Sequence, residues 1–216
     1  MAAFHFPRWT NHLFFLIPAG ALGGVVYAVV LVTFGFSPKT LAVGYAPEQP
    51  VAFSHALHAG QLGLDCRYCH NTVESSAHAA VPPAATCMNC HEKLHNDSPR
   101  LELVRNSYAT GEAVKWVKVH DLADYAYFDH SAHVNRGIGC VSCHGRIDQM
   151  EVVTQQEPLS MGWCLECHRN PEPHLRPLDQ ITNMAWTAPA DAAQAAALQA
   201  VVEQAHPQES CSTCHR

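Results

Sequence analysis

Cys66-Arg-Tyr-Cys69-His70 is the stretch from which the rest of the chain can be read. The same Cys-x-x-Cys-His pattern returns as Cys87-Met-Asn-Cys90-His91, Cys140-Val-Ser-Cys143-His144, Cys164-Leu-Glu-Cys167-His168 and Cys211-Ser-Thr-Cys214-His215. These five copies use all ten cysteines of the 216 residues. In this pattern two thiols add across the vinyl groups of a haem, and the adjacent His ligates the iron as proximal ligand. Zinc gives no reason for a His directly after the second Cys in every copy. A thioredoxin-like pair lacks its βαβ surroundings, and a disulfide framework would leave five His unexplained. Five covalently bound haem c groups are expected.

The composition agrees. With 13 Lys+Arg against 19 Asp+Glu, the net charge of -6 has the wrong sign for a nucleic-acid binder. Only 15% of residues are charged, too few for an acidic disordered chain. The 16 His are far more than an ordinary cytosolic enzyme carries.

Outside the motifs, two His pairs occur in matched contexts: Phe53-Ser-His55-Ala-Leu-His58 and Phe128-Asp-His130-Ser-Ala-His133. Each lies ten or eleven residues before a Cys-x-x-Cys-His copy. Ser54 and Asp129 are suited to cap a helical turn. On such a turn, positions i and i+3 have Cβ atoms roughly 5–6 Å apart, so two imidazoles cannot serve one iron from opposite sides. They can each serve a different haem, bringing two porphyrins close together.

Residues 13–36 form a charge-free run of 24 positions, LFFLIPAGALGGVVYAVVLVTFGF. As a helix this run is about 36 Å long, enough to cross a hydrocarbon core of roughly 30 Å. A cleaved signal peptide is the rival. Its apolar core would be shorter, and Pro47 directly follows the small residues near Gly44 and Ala46. A retained transmembrane anchor is expected, with residues 1–12 in the cytoplasm. Haem attachment of this kind takes place outside the bacterial cytoplasmic membrane. The single-pass chain should therefore present its haem domain to the periplasm or an equivalent outer face.

His55 and His130 are 75 positions apart, Cys66 and Cys140 are 74, and Cys87 and Cys164 are 77. The expected organisation is a linker over 37–50 and a haem domain over 51–216. That domain holds dihaem modules at 51–100 and 126–175, with the last haem motif within 206–216. Ser98-Pro99 should open a helix with Leu101, Val104 and Tyr108 on one face, closed by Gly111. Residues 114–120 read as extended and 189–205 as an Ala/Gln-rich helix. The fold class is mostly α and irregular, with long loops packed around haem, because so short a chain has little room for a separate core.

The F-x-H-x-x-H pattern resembles the multihaem cytochromes of the cytochrome c3/c7 group, where it supplies distal ligands to two haems. That resemblance assigns His55 to the haem on Cys66/Cys69 and His58 to the haem on Cys87/Cys90. It assigns His130 to Cys140/Cys143 and His133 to Cys164/Cys167. His70, His91, His144, His168 and His215 are the proximal ligands. For the haem on Cys211/Cys214 the candidates are Met161, Met150, Met184, His120, His174 and His206. Met161 and His120 stand out because both sit in apolar stretches near haem motifs.

The anchor, the two modules, the strings TCMNCH and SMGWCLECHR and a terminal CSTCH look like the pentahaem cytochrome subunit of alternative complex III. This resemblance implies an electron relay from quinol-oxidising membrane subunits to a monohaem cytochrome c or small soluble acceptor. It also implies contact with an iron–sulfur subunit related to molybdopterin enzymes. No catalytic residue is expected in this chain. One alternative is a quinol dehydrogenase of the NapC/NrfH type, although Cys66 lies 30 residues beyond Phe36, farther than in those compact chains. The other is a terminal reductase with an open haem, although no Cys-x-x-Cys-Lys motif occurs.

Overall fold

A computed structural model describes residues 5–36, 42–188 and 192–215. The first stretch of the expected linker, 37–41, and the start of the 189–205 helix lie outside the described residues. The chain divides into two units, Met1–Ala42 and Val43–Arg216.

In the first unit, α1 runs Arg8–Gly35 without a break and is long and apolar enough to cross a membrane. It opens with a tight 3-10 turn behind Pro7, continues as α-helix through Pro18, and widens at Leu31–Gly35. Thr33 folds its hydroxyl back onto the Val29 carbonyl at 2.7 Å, removing a polar group from an apolar surface. None of its apolar residues is buried against protein.

The second unit is helical turns joined by irregular chain. Among the described residues it has no strand, only single bridges between Ala126 and His215 and between Ile138 and Leu175. Its elements are α2 (Ala56–Gln61), α3 (Cys66–Cys69), α4 (Ala84–His91), α5 (Glu102–Thr110), α6 (His130–Val134), α7 (Val141–His144), α8 (Met161–Arg169), α9 (Ala192–Gln204) and α10 (Cys211–Cys214). Local chemistry starts several of them. The Asp65 carboxylate accepts from Arg67 N before α3 at 2.8 Å, and Asp129 accepts from Ser131 N before α6 at 2.9 Å. Ser54 Oγ accepts from Leu57 N at 2.9 Å at the entry to α2. Gly111, at φ 76°, closes α5 in the left-handed conformation that favours glycine.

The expected face of α5 is only partly buried. Val104 is 3% exposed, but Tyr108 is 56% exposed, because the short helix meets the unit with one side of its first turns. Residues 43–50, read as linker, are tied into the unit. Gln155 exchanges backbone hydrogen bonds with Gly44 and Tyr45, and Gln49 brackets Val117 through both its amide atoms.

The two modules hold each other by the same contacts in reverse. Ala56 N, one residue after His55, donates to the Met150 carbonyl, six residues past His144. Ser131 N, one residue after His130, donates to the Ser76 carbonyl, six residues past His70. Gly60, two past His58, lies against the Asp148 carbonyl, and Asn135, two past His133, donates to the Glu74 carbonyl at 2.9 Å. The duplication in sequence has become a pseudo-twofold pair in space.

Very little of this unit is an apolar core. Among the described residues, the buried hydrophobic side chains are Val51, Val104, Val134, Leu175, Ile181 and Met184. Six such side chains make a small core for a unit of this size.

Candidate haem sites

Each Cys-x-x-Cys-His copy occupies one helical turn. The two thiols sit at i and i+3, on one side of that turn. The backbone amides of His70, His144 and His215 donate back to the carbonyls of Cys66, Cys140 and Cys211 at 2.8–3.0 Å, closing each motif into a turn.

Several of the imidazoles lie in pairs. The ring centres of His58 and His91 are 6.2 Å apart, those of His133 and His168 are 6.1 Å, and those of His130 and His144 are 6.5 Å. Two metal–imidazole bonds of about 2 Å, plus about 1 Å from each nitrogen to its ring centre, call for about 6 Å. These gaps would suit a haem iron ligated by the two imidazoles of each pair. His55 lies beside His70, and burial, with His70 and His58 as neighbours, holds its pKa down at about 4.

Second partners fix which nitrogen faces inward. Nδ1 meets a backbone carbonyl in His58 (Ser54), His70 (Ala80), His91 (Leu94), His130 (Ala77), His133 (Asp129), His168 (Gln208) and His215 (Tyr125), at 2.7–3.1 Å. A carbonyl can only accept, so each Nδ1 carries the proton and each Nε2 keeps its lone pair for a metal. A phenylalanine meets the paired imidazoles in the same way in both modules. Phe53 meets His55 edge-on at 4.9 Å and His58 nearly parallel at 4.3 Å; Phe128 meets His130 at 4.8 Å and His133 at 4.4 Å.

Zinc fits poorly. Among the described residues no group of three His, Cys, Asp or Glu converges on one point. Burial, with Cys167 and Cys164 nearby, pushes the Cys143 thiol up to about 12. No disulfide joins any of the ten cysteines.

The candidates for the fifth site separate. The His120 ring lies 4.4 Å from that of His144, at the third motif. Met184 is buried in the small core at 8% exposure. Met161 opens α8, is 62% exposed, and precedes Cys164 by one turn. Cys164 in turn has Cys214 as an electrostatic neighbour. Met150 gives its carbonyl to Ala56, and His174 gives its carbonyl to Gly139 at 3.5 Å. His206 is exposed. The carbonyl partners of Nδ1 were not legible in sequence, because every residue type carries that group.

Residues 51–111 and 126–216 match the family described as cytochrome c7 and related cytochrome c. The two matched stretches contain the two modules. Over 126 residues the chain is 32% identical to the menaquinone reductase multihaem cytochrome c subunit of Nitratidesulfovibrio vulgaris. That similarity covers 58% of this chain and 59% of that protein, so the chain spans about three-fifths of the length of the curated relative it matches.

Proposed function

This chain belongs to the cytochrome c7 and related cytochrome c family, and from that premise we propose that it is a membrane-anchored pentahaem cytochrome that relays electrons between quinol chemistry and a periplasmic carrier. It is a multihaem electron-transfer cytochrome; the count of five, the anchor and the complex are our reading. When bound, haem supplies one-electron redox chemistry, and the protein sets position and environment. His70, His91, His144, His168 and His215 act as proximal ligands in this reading, with His55, His58, His130 and His133 opposite the first four. Met161 is assigned to the fifth site, ahead of His120, whose ring lies against His144.

The observation that carries the proposal is the set of imidazole pairs whose ring centres lie 6.1–6.5 Å apart. Two imidazoles on one iron leave no open position for substrate, which favours relay over catalysis. The module organisation at 51–100 and 126–175, with an appended fifth motif, supports placement as the pentahaem subunit of alternative complex III. There, quinol-oxidising membrane subunits and an iron–sulfur subunit would be neighbours, and a monohaem cytochrome c the acceptor. α1 would cross the bacterial cytoplasmic membrane with the haem unit outside.

The similarity to a menaquinone reductase subunit favours a second reading, in which the same relay carries electrons toward quinone. Mild-detergent purification followed by a subunit census and stopped-flow reduction separates the two. Fast haem reduction by added menaquinol in the purified assembly supports the first. Reduction only by a periplasmic donor, with electrons appearing in menaquinone, supports the second. Within the chain, His58→Ala and His133→Ala should each convert one low-spin iron to high spin in the electron paramagnetic resonance spectrum. Unchanged low-spin spectra in both variants would refute the ligand assignment.

A further inference from the structure

The five motifs follow one another along the chain as first to fifth, but their contacts run differently. The second meets the first where Asn89 Nδ2 donates to Tyr68 Oη at 3.0 Å, each being the third residue of its motif. Their facing His55 and His58 share the Phe53 ring. The first meets the third across one short bridge. Asp65, next to Cys66, accepts from Thr182 Oγ1 at 2.8 Å, and the adjoining Ile181 carbonyl accepts from Cys140 N at 3.2 Å. The third meets the fourth through His130 and His133, one turn apart on Phe128 and facing His144 and His168. The fourth meets the fifth where Gln208 O accepts from His168 Nδ1 at 2.8 Å and Glu209 pairs with Arg169 at 3.0 Å, just before Cys211.

We infer that the five attachment sites form one unbranched row in the order second, first, third, fourth, fifth, with Cys87/Cys90 and Cys211/Cys214 at its ends. The inference rests on the five-haem reading above. The pseudo-twofold relation explains why the order departs from the sequence. Reciprocal docking of α2 on residues 148–150 and of α6 on residues 74–76 sets the first and third motifs together at the centre. Their partners, the second and fourth, are thereby turned outward, and the C-terminal motif extends the row on the fourth's side. Cys90 and Cys211 are the two exposed cysteines, one at each end; the other eight are half-buried. A one-electron donor is thus oxidised at one end and a one-electron acceptor reduced at the other, with no bond made or broken between them.

An iron anomalous-difference map of the haem-loaded full chain tests this order. The iron held by Cys87/Cys90 should have the Cys66/Cys69 iron as its nearest neighbour. The Cys211/Cys214 iron should have that of Cys164/Cys167, and the Cys66/Cys69 and Cys140/Cys143 irons should be adjacent at the centre. A Cys87/Cys90 iron nearest to the third or fourth motif, or a Cys211/Cys214 iron nearest to the first, overturns the order while leaving five haems standing. Fewer than five irons on thioether-linked sites would instead overturn the reading on which the order rests.

Discussion

A single imidazole distinguishes the third motif from its siblings. His70, His91, His168 and His215 each hand Nδ1 to a backbone carbonyl, but Nδ1 of His144 is buried with no such acceptor. Nε2 of His120, also buried and unpaired, belongs to the ring 4.4 Å away. Replacing His120 with Phe should therefore shift the midpoint potential and spectrum of one haem and leave the others in place. A potentiometric titration in which all haems move together would contradict this. The same residues set an acid limit. Burial holds His144 at about 3 and His55 at about 4, against about 6.5 in an unfolded chain. Stability is full above about pH 6.5 and declines as the pH falls toward 4 and then 3, because the unfolded chain takes up protons that the folded one refuses. Acid titration of the low-spin absorption should lose signal in that window and regain it on neutralisation. Greater stability at pH 4.5 than at pH 7 would contradict the linkage.

The elements that sequence makes legible are those with a residue-type signature. Cys-x-x-Cys-His fixed five helical turns, and Phe-x-His-x-x-His fixed α2 and α6 with their caps Ser54 and Asp129. The docking of α2 and α6 on the opposite module was invisible, because its donors and acceptors are mostly backbone groups at Ala56, Met150, Ser131 and Ser76. Tyr108 was misplaced by periodicity alone, since a nine-residue helix that packs through its first turns leaves its last residues in solvent. Gly60 is the point where docking leaves no room for a side chain. A Cβ there would lie 2.2 Å from the Asp148 carbonyl oxygen, a backbone atom that cannot swing aside. Gly60→Ala should destabilise the folded unit by about 1–3 kcal/mol, as overpacking does. Chemical denaturation followed by haem absorption measures it, and an unchanged midpoint would mean that the modules do not dock this way.

At the scale of the molecule, a unit with six buried hydrophobic side chains among its described residues carries five Cys-x-x-Cys-His turns. On the proposed reading, haem binding takes the place of an apolar core. The chain made without haem attachment should accordingly be easily proteolysed across residues 51–216, while the mature form resists; equal resistance of both would show a core that the burial pattern does not contain. The most direct measurement is the intact mass of the mature chain extracted from membranes. Five haem equivalents bound through thioethers to the ten cysteines are predicted. An unmodified mass, or one carrying only one or two haems, would contradict the relay at its foundation.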